Sequence, residues 1–579
     1  MAKKLIGTHS GTFHVDEVLA CFMLKQLPEF ADAQIIRTRN PDELAKCDIV
    51  VDVGGIFDPS ANRFDHHQRD FSHSMHSLVG WRFTTKLSSA GLVYAHYGRE
   101  VLKRLLAIAS PSDQTLDILH EKVYEKFIEE IDAGDNGIPP HEGPPRYAVT
   151  TTIASRVSHL NPAWNDPEKD LDARFHRAMS MVGAEFVDRV RYYHDSWLPA
   201  RDFVKQALES RYDVDASGQV MLLSSGGVPW KEHFFELELG LPKSTTSVNY
   251  VLFEDDRDNS WRVQCVPISQ LQGFESRLPL PTSWRGLRDA ELDAISGVAA
   301  GNMADKVLTL CSRELNLTMQ TLHGWRFTTP LSCAGMVYGH YGRDVLLRLL
   351  ADFMPTETDL DKLFPKLYEK FVEEVDASAH GIPALDGESP RYDVTTTLVC
   401  RVNYLNPNWN DPRREERDYV RGRFDQALTL VGAEFRERVV HFHECWLPAR
   451  SLVKNALERR FEVDASGEIV LLNECGVSWK DPLFELEAED GTYGAVDERV
   501  KYMVFEDERN GKWRVQAIPL THHNKQLRLP FPIPWRAMAG QQLNAIVGVS
   551  GCIFCHKTGY LAGNETKSGA LQMAKKALK

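Results

Sequence analysis

The sequence contains no apolar run long enough to cross a bilayer and no disulfide framework, its ten cysteines lying scattered over 579 residues. The first absence excludes a helical membrane protein, and the second agrees with a reducing compartment. The opening Met1-Ala2-Lys3-Lys4-Leu5-Ile6-Gly7 lacks both a secretory apolar core and an Arg/Ser-rich transit helix, so a soluble intracellular protein without a presequence is expected. Basic residues are in short supply: 67 Lys and Arg against 81 Asp and Glu leave a net charge of −14. That balance argues against a general nucleic-acid coat protein, which draws on a Lys/Arg surplus, though a local basic groove fits within it. With 43% apolar and 26% charged residues the composition is that of an ordinary globular protein, and the length predicts three or four domains.

What the chain has in abundance, locally, is histidine and acid. Gly7-Thr8-His9-Ser10-Gly11-Thr12-Phe13-His14-Val15-Asp16-Glu17 is followed some fifty residues on by Phe64-Asp65-His66-His67-Gln68. Histidines and carboxylates packed this densely beside apolar runs are poor core material and good divalent-metal ligands. Asp16 to Leu27 has acid at its start and then helical apolar spacing, which puts His14 and Asp16 where a loop enters a helix. Ala33 to Arg37 and Cys47 to Val53 are short β-branched runs of the buried parallel-strand kind, the second passing Asp52 into Gly54-Gly55. This alternation predicts an open α/β sheet whose functional groups gather at strand carboxyl ends, where Asp52 and Asp65-His66-His67 both fall. Helices are expected over Gly98 to Ala109 and Leu116 to Ile131, the second running into Asp132-Ala133-Gly134-Asp135-Asn136-Gly137.

The chain also repeats itself. Gly80-Trp81-Arg82-Phe83-Thr84-Thr85 returns as Gly324-Trp325-Arg326-Phe327-Thr328-Thr329, Asn161-Pro162-Ala163-Trp164-Asn165-Asp166-Pro167 as Asn406-Pro407-Asn408-Trp409-Asn410-Asp411-Pro412, and Trp261-Arg262-Val263-Gln264 as Trp513-Arg514-Val515-Gln516. A period this long means duplicated domains. The copies differ where the chemistry lies. Thr309-Leu310-Cys311-Ser312 stands opposite Asp65-His66-His67-Gln68, nothing in copy two replaces His9, His14, Asp16 or Asp52, and Asp132 keeps a counterpart in Asp376 while Asp135 and Asn136 become Ala379 and His380. Only copy two continues into a Gly-rich tail, Gly551 to Ala570.

Five motifs in order, GTHSGTFHVDE, VVDVGG, FDHHQ, EEIDAGDNGIP and GCIFCHKTGYLAGN, resemble the Myg-one (melanocyte proliferating gene one) family, a branch of the DHH phosphoesterase superfamily. Residues 1–298 resemble nearly the whole pattern apart from its tail, and 313–579 resemble it without the metal-binding front. The resemblance implies an α/β fold: a DHH-type parallel-sheet phosphoesterase domain (1–140) and an α+β substrate domain (141–298). A linker or seam (299–312), a partial helical region without metal motifs (313–390) and a second substrate domain with the tail (391–579) would follow. It further implies two bound Mn²⁺ or Mg²⁺ ions and 3′→5′ exonuclease activity on RNA, in nucleus or mitochondrion, with the cytoplasm also open. By the same resemblance His9, His14 and Asp52 would hold one ion, and Asp16, Asp52, His66 and Asp132 the other, with Asp52 bridging. His67 would face the substrate phosphate, Asp65 would orient a histidine and Asp135 would stand behind the ligands. In the tail, Gly559, Gly563 and Asn564 would offer groups to substrate, Asn564 standing where the wider superfamily carries histidine.

The residues alone leave three function classes open: a metal-dependent exonuclease on RNA, a small-molecule phosphohydrolase such as one acting on pyrophosphate or an oligonucleotide, and a scaffold whose site the duplication spoiled. The intact ligand set in copy one speaks against the third, and the acidic net charge mildly favours the second. Phosphodiester hydrolysis needs an in-line nucleophile and charge neutralisation, which two bridged metals supply, and mixed imidazole and carboxylate ligands suit Mn²⁺ better than Mg²⁺. His73 and His76 read as bystanders, and Trp81, Trp164 and Trp261 more as core than as base-stacking platforms. Cys552-Ile553-Phe554-Cys555-His556 spells a haem-attachment signature, which the family tail explains better. No membrane partner is expected, and a homo-oligomer is open.

Overall fold

The computed structural model describes residues 3–296 and 317–579, apart from 108, 144, 168–169, 243–245, 256–259, 270–274, 286, 288, 385–389, 490–498, 509 and 522–525. The expected seam, 299–312, lies outside the described residues. The chain forms two compact units: 1–161, 170–345 and 365–435 in the first, and 162–169, 346–364 and 436–579 in the second.

The first unit opens with β1 (Leu5–Thr8), α1 (Val15–Lys25), β2 (Gln34–Arg37), the short α2 (Pro41–Leu44), β3 (Ile49–Val51), β4 (Phe57–Asp58) and β5 (Arg63–Phe64). The strands make one sheet in the order β2-β1-β3-β5-β4, parallel except for the β4–β5 edge. β3 is buried along its whole length, as expected of a strand covered on both faces. Gly7 lets β1 approach α2 and its flank, since a Cβ there would stand 3.0 Å from Cys47 Sγ. Three of the four parallel strands, β1, β3 and β5, end at Thr8, Val51 and Phe64, and the next residues are His9, Asp52 and Asp65. Strand polarity thus delivers all three to one rim, the usual location of sites in open α/β sheets.

Helices follow: α3 (Met75–Val79), α4 (Ser89–Leu105), α5 (Asp113–Val123), a π-helical turn (Tyr124–Ile128), α6 (Glu129–Asp135), α7 (Ile153–Leu160) and α8 (Leu171–Tyr192). Two expectations change here. The helix read from Gly98 begins at Ser89, because Ser89-Ala90-Gly91 pack inward where longer side chains have no room. The helix read as 116–131 starts at Asp113, capped by the Ser112 side chain, and is interrupted by the π turn before α6. α1 buries Val18, Leu19, Cys21 and Met23 in a core shared with α4 and α8, whose Val93 and Phe175 are fully buried.

The same elements recur in copy two, where the π turn returns at Tyr368–Val372 and α6 at Glu373–Ala379. Among the described residues copy two has no helix in the place of α1, and side chains equivalent to those that α1 covers are exposed. Val337 is 59% and Phe424 66% exposed, whereas their equivalents Val93 and Phe175 are 0% exposed.

The substrate-domain sheets differ in the same spirit. Copy one has β6 (Val220–Leu222), β7 (Tyr250–Glu254) and β8 (Trp261–Cys265) in the order β6-β7-β8. Copy two, in the second unit, has β9 (Ile469–Leu471), β10 (Tyr502–Asp507), β11 (Lys512–Ala517), β12 (Cys552–Cys555) and β13 (Leu561–Asn564) in the order β12-β13-β11-β10-β9. The tail therefore adds a hairpin to the free edge of β11. Among the described residues β8 has no such neighbour.

Candidate metal centre

The centre is assembled from the rim. β1 ends and places the His9 imidazole, fully enclosed, with Nε2 3.1 Å from Glu17 Oε1 and 3.2 Å from Asp52 Oδ2. His14 leads into α1; its backbone N–H donates to Glu17 Oε1 at 2.9 Å, so the glutamate caps the helix and faces His9 with one carboxylate. Asp16 and Glu17 are both completely buried in the first turn, where the helix dipole favours negative charge.

Asp52 leaves β3 in the left-handed region, with φ 57°. A non-glycine residue held there carries strain that the surroundings must overcome. Two contacts do so: Asp52 N donates to Phe64 O at 3.1 Å, and Ser89 Oγ donates to Asp52 Oδ1 at 3.2 Å. His66 stands between acids, its Nε2 3.1 Å from Asp135 Oδ2 and 3.3 Å from Asp52 Oδ1. Neither approach has hydrogen-bond geometry, so both nitrogens of this buried ring are unsatisfied, as is Asp16 Oδ1. His67 is different. Its side chain is 62% exposed, and Asp65 Oδ1 holds its Nδ1 at 2.7 Å, while Asp65 Oδ2 accepts from Gly55 N at 2.6 Å.

Three groups have ligand atoms within 4.8 Å of one another: His9, His14, Glu17 and Asp52; Asp52, His66 and His67; and His14, Asp16 and Asp135. Asp52 belongs to two of them and His14 to two, so the groups form one connected cluster. Buried nitrogen and oxygen atoms left without partners are what a divalent ion would satisfy, and the donor set suits it.

The charges support this. Burial would lower His9, but Asp52 and Glu17 outweigh it and push the ring up to about 10. Burial is likewise overcome at His66, which Asp135 and Asp52 raise to about 9. Asp52 feels burial in the other direction, yet His66 and His9 hold it below the ordinary carboxylate range. Asp16 is driven well above that range by burial and then by Asp52, Asp135 and Glu17. Protons on the histidines play the part of a cation.

Asp132, expected among the ligands, stands outside the three groups and is engaged in hydrogen bonds of its own. Its Oδ1 accepts from Ser88 N at 2.9 Å, Ser88 Oγ at 2.7 Å and Gly91 N at 3.1 Å, and its Oδ2 from Tyr124 OH at 3.1 Å. These four hydrogen bonds engage both oxygens, and burial pushes the carboxyl up to about 7. Copy two repeats the knot around Asp376 with Ser332, Gly335 and Tyr368, where no candidate metal group is found among the described residues. In both copies the glycine is obligatory, since a Cβ would lie 2.3 Å from Asp132 Oδ2 or 2.1 Å from Asp376 Oδ2. Asp132 locks α6 to α4, and Asp135, one turn on, reaches the cluster.

A family model described as Uncharacterised protein family (UPF0160), under the label MYG1 exonuclease, matches residues 5–304 and again 312–578. The chain belongs to this MYG1 family. A MYG1 protein of Caenorhabditis elegans is 50% identical over 297 residues, covering 51% of this chain and 87% of the relative. MYG1 exonucleases of Mus musculus and Homo sapiens are 54% and 52% identical over 301 and 300 residues, covering 52% of this chain and 78% and 79% of the relatives. No solved structure matches. The double match establishes that the MYG1 unit is present twice.

In the MYG1 tail, the residues expected to meet substrate are occupied with packing. Asn564 is fully buried, accepting from Thr566 N at 2.9 Å and donating to Ser550 O at 2.9 Å, so it offers solvent no side-chain atom. A Cβ on Gly559 would stand 3.1 Å from Phe531 N, and one on Gly563 2.9 Å from an Arg514 guanidinium nitrogen. Glu17 and Ser89 belong to the centre but were not among the expected residues. Ser89 had a signal in the repeat: Ser88 persists as Ser332, while Ser89 becomes Cys333.

Proposed function

We propose that copy one is a divalent-metal-dependent phosphodiesterase, a 3′→5′ exonuclease acting on RNA, with Mn²⁺ preferred. The observation that carries this reading is the connected cluster in which Asp52 is common to two groups of ligand atoms within 4.8 Å. The names of the mouse and human relatives support the exonuclease class.

In this reading His9, His14, Glu17 and Asp52 hold one ion, and Asp52, His66, Asp16 and Asp135 hold a second. Bound divalent ions supply charge neutralisation on the phosphoryl oxygens and a lowered water pKa. His67, exposed and oriented by Asp65, is the group offered to the substrate phosphate. Asp65 fixes the ring so that its other nitrogen points outward, the arrangement that carboxylate–histidine pairs provide beside metals. Ser89 steadies Asp52 in its left-handed conformation. No helix among the described residues is long and apolar enough to cross a membrane, and nucleus or mitochondrion is the proposed location by family.

The test is a digestion ladder on RNA labelled at either end, with and without Mn²⁺, beside release of phosphate from small esters. A ladder shortening from the 3′ end that needs Mn²⁺ supports the reading. Hydrolysis of small esters alone would replace it with the small-molecule phosphohydrolase that the acidic net charge of −14 also suits.

A further inference from the structure

α6 is the last seven residues of a helix that runs on from α5 through the π turn, so its end, beyond that interruption, is placed by what it touches. Inside copy one the Asp132 knot holds one side. The other side is held by copy two: Glu130 accepts from Thr395 N at 2.7 Å, Thr396 N at 3.2 Å and Thr396 Oγ1 at 2.6 Å. The residues flanking α6 are gripped by the same stretch. Thr395 Oγ1 donates to Lys126 O at 2.5 Å, Tyr392 OH to Ile138 O at 3.0 Å and Arg391 N to Pro140 O at 2.9 Å.

Most of these contacts have a mirror. Glu374 accepts from Thr150 N at 2.9 Å and Thr151 Oγ1 at 2.6 Å, Tyr147 OH donates to Ile382 O at 3.1 Å, and Arg146 N to Ala384 O at 2.7 Å. The two halves also cross: Ile153 N donates to Thr396 Oγ1 at 2.9 Å and Leu398 N to Thr151 Oγ1 at 2.8 Å. Residue i of one copy meets j of the other and j meets i, the signature of an isologous two-fold interface, here made within one chain. Copy two has thus kept the docking residues Glu374, Thr395 and Thr396 while Ala379 stands in place of Asp135.

We infer that copy two is a built-in docking partner whose Thr395–Thr396 edge positions α6, and with it Asp135, in the centre of copy one. The inference rests on the metal reading of that centre. Glu130 and Thr396 are positioning residues, touching neither ion nor substrate. Outer supports of metal ligands are typically worth 10–100-fold in affinity.

The pseudo-symmetry supplies its own control. Mn²⁺ is titrated calorimetrically into the full-length chain and its Glu130→Gln and Glu374→Gln variants. Both substitutions remove the same carboxylate from the same kind of clasp, but only α6 carries a ligand. Glu130→Gln is expected to weaken Mn²⁺ binding about tenfold or more, and Glu374→Gln to leave it within about twofold. Equal weakening in both, or none in Glu130→Gln, overturns the inference. If Glu130→Gln does not accumulate as folded protein, Thr396→Val against Thr396→Ser decides: the serine must restore the affinity lost with valine, and failure to do so overturns it too. A wild-type chain that takes up no Mn²⁺ overturns the metal reading instead.

Discussion

Metal uptake by this centre should expel protons, and the number is set by the geometry. At pH 7 the metal-free site holds a proton on His9, raised to about 10, and one on His66, raised to about 9. A metal needs the neutral ring nitrogens, so both must leave. Removing them at pH 7 costs about 4 kcal/mol for His9 and about 3 kcal/mol for His66, taking 1.36 kcal/mol per pH unit. Together that is roughly five powers of ten in apparent affinity. Between pH 6 and 8 the apparent Mn²⁺ affinity should therefore climb by up to about a hundredfold per pH unit. Asp16, raised by burial, adds to the release, whereas Asp52 is already ionised. The assay is Mn²⁺ titration calorimetry at pH 7 in two buffers of different protonation enthalpy, which reads about two protons released or more. Less than one proton, or an affinity flat from pH 6 to 8, would refute the reasoning. The metal-free chain moves the opposite way. Histidines raised in the fold contribute stability that is complete below their unfolded value near 6.5 and is lost as pH rises through about 9 and 10, so its melting temperature should fall over that window.

The remaining predictions separate ligand from scaffold. Asp52→Asn, which tolerates the left-handed backbone, should abolish turnover and Mn²⁺ binding, while Asp376→Asn leaves both nearly intact; equal loss in the two would refute the assignment to copy one. Asp135→Asn should cost metal affinity with little change in melting. Asp132→Ala should lose roughly 3 kcal/mol of stability with its hydrogen bonds and, because the knot also holds α6, weaken Mn²⁺ binding, read by denaturant melts beside Mn²⁺ titration. His67→Ala should keep Mn²⁺ affinity and lose rate in the RNA assay, and lost metal would contradict its role at substrate.

Part of the rim was legible in the sequence because parallel strands have a fixed polarity: with 47–53 read as a strand, Asp52 falls at its carboxyl end, whereas β1 and β5 are too short to stand out, and it is the structure that brings His9 to the same edge. What escaped was set by packing. Glu17 sits at the capping position of α1, so its sequence context fits a cap, and only its complete burial beside His9 reveals the second role. Asp132 and Asp135 are both acids near a helix end, and spacing along α6 does not say which turns inward to α4. The repeat carried that information. Residues persisting in both copies, Ser88, Gly91, Tyr124 and Asp132, serve the fold, and those replaced in copy two, Ser89 and Asp135, serve the centre. The mutual clasp was not legible at all, since Glu130 and Thr396 lie far apart in the chain and resemble any buried acid and any loop threonine.

Joining the two halves of a two-fold interface in one polypeptide changes what the interface has to withstand. Two separate chains meeting through Glu130, Thr396 and their mirrors would come apart on dilution. A covalent tether replaces that dependence with an effective local concentration in the millimolar range. Closure of the clasp then no longer depends on protein concentration. Ala379 in copy two, standing where copy one has Asp135, is the kind of asymmetry that such a tether permits.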